Sequence, residues 1–300
     1  MYYINQVFYK VMDRRELRRM PRDRFTIYQK DLHRIAQDVL TESTLLEGDQ
    51  YSYTELGDAV LQDVEKGEAL DGVDMAMFCY WTPEFDPDYS AFGPYFMDRY
   101  KINGHSFDIC DNGSLASATA LNVAGSYLKN GSVQKILLLG MEQNTIPRNI
   151  EQGFPVPSRS CSVAALLTAE KRPESQWKLI NSGHITEWDS GRLEDSYGLL
   201  IDILTRSNTN TDDVVLLTQR SGYFYKKLRF HLETTSQELP IDYAFLRPDV
   251  TGMNALLTLA GETLAPLNKR TVLLIEHDME SLRMAWSVLQ KVQEVDHVRY

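Results

Sequence analysis

Cysteines and long apolar runs are both scarce in this chain. Its three cysteines, Cys79, Cys110 and Cys161, are too few and too scattered for a disulfide framework or a zinc ligand set, which fits a reduced compartment. The longest apolar runs, such as ILLLG after Lys135, are far shorter than the roughly 20 residues that a membrane span needs. The first fifteen residues lack the charged start and apolar middle of a signal peptide. We therefore expect a cytoplasmic protein that does not enter a membrane.

Basic residues are also in short supply, with 31 Lys and Arg against 42 Asp and Glu and a net charge of −11. This balance argues against nucleic acid as a partner, because binding it requires clustered cations that neutralise phosphates. One stretch departs from the average and is either a solvated helical face or a surface for an acidic carrier protein or a nucleotide-bearing cofactor. Its members are Arg14, Arg15, Arg18, Arg19, Arg22, Arg24, Lys30 and Arg34.

Along the chain, segments with a helical pattern alternate with short apolar segments, and this order indicates an α/β fold. Amphipathic or small-residue patterns predict helices, and short apolar runs without alternation predict strands buried on both faces in parallel sheets. Helices are predicted at 26–40, 89–102, 113–131, 194–207, 221–233 and 249–266. Strands are predicted at 73–83, 106–110, 134–142, 160–170, 212–219, 269–278 and 280–290.

The order of segments in the second half repeats that in the first. From Gly113 to Lys135 is 22 positions, and from Thr251 to Thr271 is 20. Matching order and near-matching spacing predict a duplicated α/β unit, with halves at 1–170 and 171–300 joined by a polar, proline-containing linker.

Several quoted stretches together resemble the thiolase-like superfamily, and within it the type III ketosynthases. GVDMAMFCYWTPEFDPDYSAFGPYFMDRYKINGHSFDI is similar to that family's strand, Thr-Pro turn, interface helix and nucleophile strand. QKILLLGMEQ and SRSCSVAALLTAE resemble its following buried strands. The resemblance covers most of the chain and implies two duplicated halves in a five-layer αβαβα arrangement.

The resemblance also implies a catalytic set of one cysteine, one histidine and one asparagine, and this chain departs from it at all three positions. The cysteine position in DICDNG is Gly113, the histidine position in LLTQRS is Thr218, and the asparagine position in DVTG is Val250. Glycine offers no nucleophile, threonine cannot act as an imidazole, and valine donates no hydrogen bond.

Neighbouring residues offer weak replacements for the missing nucleophile. Ser114 follows the cysteine position but needs an adjacent base, and Cys110 ends the preceding strand, where a thiol more often packs as a small hydrophobe. Cys79 and Cys161 lie inside apolar strands and are expected in the core. Asp108, Asp111 and Asn112 are expected to cap the following helix. The remaining candidates, His105, His184 and His277, are expected to be loop or surface residues, the last one next to Asp278.

An aromatic segment after the first buried strand is either a subunit interface that shapes an acyl pocket or ordinary core. Its candidate residues are Phe85, Tyr89, Phe92, Tyr95 and Phe96.

Two functions follow from these observations. In the first, the chain is a non-catalytic subunit that pairs with an active ketosynthase-like partner in the synthesis of a specialised metabolite from a fatty-acyl or polyketide chain. FDICDNGSLA resembles the corresponding region of the non-catalytic subunit of heterodimeric alkylquinolone-forming synthases. In the second, it is a stand-alone acyltransferase or thioester hydrolase that uses Ser114 or Cys110. We expect no cofactor, although an acyl thioester of coenzyme A or of an acyl carrier protein is a possible ligand, and no metal.

Overall fold

The computed structural model describes residues 1–15, 27, 30–31, 34–35, 46–66, 70–82, 84–110, 112–147, 157–186, 191, 194–247, 252–260, 269–278 and 282–292. The strands are β1 Tyr2–Val11, β2 Leu46–Glu47, β3 Met75–Cys79, β4 His105–Ile109, β5 Lys135–Glu142, β6 Ile146–Pro147, β7 Cys161–Thr168, β8 Trp177–Ile185, β9 Val214–Thr218, β10 Asp242–Phe245, β11 Thr271–His277 and β12 Met284–Lys291. The α-helices are α1 Tyr53–Lys66, α2 Phe92–Arg99, α3 Ala116–Lys129, α4 Ser196–Arg206, α5 Tyr223–Thr235 and α6 Asn254–Leu259.

Ten of these strands form one mixed sheet in the order β10-β9-β11-β12-β8-β1-β7-β5-β3-β4, and β2 pairs with β6 separately. Each side of the β8–β1 junction contains five strands. When the five are numbered in chain order, both sides read 3-2-4-5-1 from the outer edge. In both halves the three outer strands are parallel to one another. Each of the two inner strands is antiparallel to its neighbours within that half. Both halves of the sheet therefore have the same topology; the domain limit at residue 170 stays a prediction.

The expectation of purely parallel sheets was wrong for four strands. β1, β7, β8 and β12 run antiparallel to their neighbours. All eight residues of β7 are buried. A strand covered on both faces is apolar throughout in either direction, so its sequence does not reveal its direction.

The helices and the two halves of the sheet form five layers. Helices α1 and α2 cover the outer face of the first half through Ala76, Phe78, Leu137 and Leu139. Helices α3 and α6 lie between the two halves, against alternate residues of the same strands. Helices α4 and α5 cover the outer face of the second half. Strand residues alternate between faces, so each buried strand contacts two helical layers.

The central layer brings corresponding parts of the two halves together. The Ser117 amide near the start of α3 donates to the Gly252 carbonyl, 3.1 Å away, in the turn before α6. The Gly252 amide donates to Glu142 Oε1 at the end of β5, 2.9 Å away. Helix α3 is rich in small buried residues, Ala116, Ala120 and Ala124 among them, which allow the two halves to approach closely. Among the described helices, none has the length and apolarity that crossing a membrane would require.

Candidate active site at the start of the central helix

Gly113 begins a short 3-10 turn, Gly113–Leu115, that leads directly into α3. Its φ is +54°, in the left-handed region that favours glycine over residues with a Cβ. A Cβ built on Gly113 would lie only 2.8 Å from Asp278 Oδ1. The cysteine position of the family resemblance therefore lacks a side chain, and a carboxylate occupies the space into which one would project.

Asp278 is the centre of a buried network that joins the two halves of the chain. It is 2% exposed, and its Oδ2 accepts a hydrogen bond from the Arg283 guanidinium at 2.7 Å. Arg283 also donates to Asn112 Oδ1 at 3.1 Å. The backbone of the same hairpin closes with the Asp278 amide donating to the Arg283 carbonyl at 3.0 Å. The carboxylate is thus fixed in place by an ion pair and by its own backbone.

Ser114 belongs to this network and is 2% exposed. Its Oγ donates to Asp278 Oδ1, 3.2 Å away, and lies 3.4 Å from the His277 carbonyl. A carboxylate within hydrogen-bond reach is what a serine nucleophile needs. However, this carboxylate is also held by Arg283, and Ser114 is almost completely buried. The observed contact of Ser114 with His277 involves the backbone carbonyl, not the imidazole.

Cys110 is partly buried and follows the end of β4. It interacts with the Tyr80 hydroxyl, whose pKa is raised by burial above all, then by Asp108, and then by Cys110. Cys79 and Cys161 are buried inside strands, as predicted. Burial raises the pKa of Cys79, which makes its reactive thiolate scarce.

Thr218, at the histidine position, ends β9 and is completely buried. Within the described residues its Oγ1 has no hydrogen-bond partner. The next residue, Gln219, contacts the backbone of His277 twice: its Oε1 accepts from the amide at 2.9 Å and its Nε2 donates to the carbonyl at 3.3 Å. The amide side chain therefore positions the β11 end that carries Asp278. Val250 lies outside the described residues.

His277 and Asp278 are buried, so the expectation of surface residues was wrong. His277 is 5% exposed, and its ring stacks on Tyr223 with centroids 5.9 Å apart. Burial lowers its pKa, against a smaller opposing effect of Asp278. The other two histidines were expected in loops but lie in strands. His105 begins β4, and His184 Nδ1 in β8 is 3.3 Å from Asn122 Nδ2.

The predicted capping roles near the helix start were wrong for two residues. Asp108 lies in β4 and accepts from the Tyr80 hydroxyl at 2.9 Å. Asn112 makes no side-chain capping bond and instead contacts Arg283 and Thr119. Asp111 lies outside the described residues. The Asn112 side chain accepts from Arg283 through its Oδ1, and Arg283 in turn balances the charge of the buried Asp278 carboxylate.

A second carboxylate, Glu276, is completely buried on the inner face of β11. Burial raises its pKa far above the usual range, although its contact with the Ala255 amide lowers it, and nearby Glu142 raises it further. Glu142 lies at the end of β5 and Glu276 near the end of β11. These are the fourth strands, in chain order, of the first and second halves. Glu142 accepts from the Gly252 amide in the turn before α6, whereas among the described residues neither carboxylate oxygen of Glu276 has a hydrogen-bond partner.

Three of the five aromatic candidates are buried within their own chain. Phe85, Phe92 and Phe96 are at most 5% exposed, and Phe92 contacts the ring of Tyr53 on α1 at 5.1 Å. These three rings pack in the core of their own chain, and the role of this segment at a subunit interface stays a prediction. Tyr89 is 42% exposed, and the Tyr95 hydroxyl bonds Asp58 Oδ2 at 2.7 Å.

Sequence reasoning missed Asp278 and Arg283 as site residues. The signal was the polar run HDMESLR between the apolar strands β11 and β12. A hairpin at the carboxyl end of β11 reaches the same edge as the turn at Gly113. In the described part of the chain, no three His, Cys, Asp or Glu side chains come together as a metal site would require.

No protein-family model matches the sequence, and no curated protein matches it by sequence similarity. Solved structures do match. β-Ketoacyl-[acyl carrier protein] synthase III from Thermus thermophilus has a TM-score of 0.60 at 16% identity, over 96% of this chain and 98% of that one. AbyA1, a tetronic acid condensing enzyme, has a TM-score of 0.63 at 13% identity, over 97% and 100%. Xanthomonas campestris OleA, in a cysteine-to-serine variant with lauric acid and lauroyl-CoA, has 0.61 at 11%, over 96% and 98%.

The chain therefore has the α/β fold of the ketosynthase III-like, thiolase-like condensing enzymes, which confirms the predicted fold class. At such low identities the likeness concerns the fold.

Proposed function

We propose that this chain is a non-catalytic ketosynthase III-like subunit that pairs with an active ketosynthase-like partner. The partner would carry the cysteine, histidine and asparagine. The pair would act in the synthesis of a specialised metabolite from a fatty-acyl or polyketide chain, fed by thioesters of coenzyme A or of an acyl carrier protein.

The observation that carries this proposal is the carboxylate at the nucleophile position. A pocket that had only lost its cysteine would keep room for an acyl group. Here Asp278 Oδ1 lies 2.8 Å from where a Cβ of residue 113 would be, and Arg283 holds it there. A fixed negative charge also opposes the oxyanion that forms during acyl transfer.

The edge of the sheet supports pairing with another chain. Among the strands that the structure describes, β4 ends the ten-stranded sheet and pairs only with β3. No described strand pairs with its other side, and such edges are templates for pairing. Because the His105 amide donates to Asp74 on the β3 side, alternation directs the amides of Ser106 and Asp108 outward.

The alternative function, acyl transfer or hydrolysis by Ser114 or Cys110, draws on one contact, the 3.2 Å between Ser114 and Asp278. Burial of the serine and the Arg283 ion pair weigh against it. Cys110 is at a different point of the turn, outside this contact network.

Reconstitution tests the proposal. The chain would be co-expressed with an intact ketosynthase-like protein from the same organism, and condensation of acyl-CoA with a malonyl thioester would be followed. We expect product only when both are present. Alanine at the partner's cysteine should abolish it, and Ser114→Ala and Cys110→Ala in this chain should leave it unchanged. Loss of product in either of the latter variants, with the complex intact, would favour the alternative.

A further inference from the structure

A cleft of about 340 Å³ opens at the sheet end opposite the site at Gly113. Its lining includes Tyr3, Lys171, Lys178, Arg270, Gln290 and Lys291. Arg270 precedes β11, whereas His277 ends it, and the seven steps between them span about 20 Å of extended chain. The cleft is therefore separate from the site described above.

Strand register builds the floor of the cleft. Tyr3 on β1 lies opposite Lys178 on β8, which lies opposite Gln290 on β12. Residues opposite each other on neighbouring strands project to the same face, about 5 Å apart. Their sequence neighbours Tyr2, Leu179 and Leu289 belong to the central core, so this row faces outward. The Lys291 amide donates to the Arg270 carbonyl at 2.8 Å, which brings these two residues to the rim.

The charge of the cleft is unusual for this chain. It has four cations, Lys171, Lys178, Arg270 and Lys291, in a protein whose acidic residues outnumber its basic ones by 42 to 31. In the described part of the structure none of the four forms an ion pair, although most other arginines and lysines on the described helices do. The Lys178 ammonium lies 6.0 Å from the centre of the Tyr3 ring. Four clustered like charges that form no ion pair within the described residues are stabilised by a bound anion.

We propose that this cleft binds a nucleoside di- or triphosphate. Its cations suit several phosphate groups, the Tyr3 ring can stack on a base, and the Gln290 amide can both donate and accept. The volume lies in the range of small-molecule sites. An extended polyanion such as nucleic acid is disfavoured, because beyond the cleft it would meet a protein of net charge −11.

The test is binding of a fluorescent ATP analogue to the full chain, followed by anisotropy. The cleft variant is Lys178→Gln with Arg270→Gln. The matched control is Lys66→Gln with Arg206→Gln, which removes two exposed cations elsewhere. We expect saturable binding by the wild type and the control and at least tenfold weaker binding by the cleft variant, with thermal unfolding confirming that all three are folded. Absence of saturable binding by the wild type at millimolar ligand, or equal loss in the control, would overturn the proposal.

Competition separates the phosphates from the nucleoside. Inorganic tripolyphosphate should displace the analogue, because the cations hold the phosphates. Tyr3→Leu should weaken binding of ATP several-fold but leave that of tripolyphosphate unchanged. If Tyr3→Leu leaves the binding of both ATP and tripolyphosphate unchanged, the cleft does not recognise the nucleoside, and the proposed nucleotide ligand is wrong.

Discussion

Gly113 and Asp278 depend on each other at the scale of single residues. The positive φ of +54° at Gly113 suits glycine, and the absence of its Cβ leaves room for the Asp278 carboxylate. Gly131 offers a comparison, because it has a φ of +72° with nothing within 4 Å of its Cβ position. The two positions therefore share the backbone preference but differ in surroundings.

Alanine at these glycines separates the two effects. Both substitutions should cost about 1 kcal/mol because alanine disfavours a left-handed backbone. Gly113→Ala should cost about 1–3 kcal/mol more, since its methyl group overpacks against Asp278. Urea denaturation measures both free energies of unfolding. Equal losses at the two positions would contradict the placement of Asp278.

A buried Glu276 makes stability depend on pH. Its folded-state pKa is raised, mainly by burial, above the value of about 4.3 in an unfolded chain. Between these values the folded protein binds more protons, so the free energy of unfolding falls as pH rises above about 4.3.

Glu276→Gln removes this titration. Relative to the wild type, the variant should become progressively more stable as pH rises from about 4 toward 8, by up to about 1.4 kcal/mol per pH unit. Thermal and urea unfolding across that range measure the difference. Substitution of an exposed carboxylate, Glu170→Gln, is the control. A difference for Glu276→Gln that does not change with pH would mean that this carboxyl ionises as freely in the folded protein as in the unfolded chain.

At the scale of elements, the β4 edge is the predicted contact with the partner. Ser106→Pro removes an amide that points away from β3, which an edge strand tolerates in the free chain. We expect at least tenfold weaker association with the partner, measured by analytical ultracentrifugation of the co-purified pair.

The opposite edge of the sheet offers the control. The Leu246 amide donates to the Thr218 carbonyl, so the amide of Tyr243 on β10 points outward. Tyr243→Pro should leave association unchanged. Association that survives Ser106→Pro, or that Tyr243→Pro weakens equally, would locate the partner elsewhere.

Several elements with a strong apolar or small-residue signal were predicted from the sequence, and others were missed. The apolar run of β5 and the small-residue pattern of α3 were found within a few residues of their limits. Strands β1 and β8 were missed, because each mixes buried and partly exposed residues with polar side chains. The helix predicted at 26–40 lies largely outside the described residues.

The candidate site was predictable as to what it lacks and not as to what fills it. Gly113 and Thr218 could be located through the family resemblance, which rests on short stretches of sequence. The Asp278 contact joins residues more than 160 positions apart, and the sequence carries no register for such a pairing. Burial of His277 depends on another tertiary contact, the stacking of its ring on Tyr223.

At the scale of the whole molecule, two halves of identical topology meet at α3 and α6, and their interface retains buried glutamates on equivalent strands. The fold of the condensing enzymes is thus combined with an Asp278–Arg283 ion pair beside Gly113. Under the proposed function, the sheet edge is the surface that contacts the partner.

The most direct test of this account is the intact mass of the purified chain after incubation with a range of acyl-CoA thioesters. Because Ser114 is buried against Asp278 and residue 113 has no side chain, we predict an unchanged mass. A ketosynthase of the same fold with an intact cysteine should gain one acyl group under the same conditions. A stable acyl adduct that maps to Ser114 or Cys110 would contradict the account.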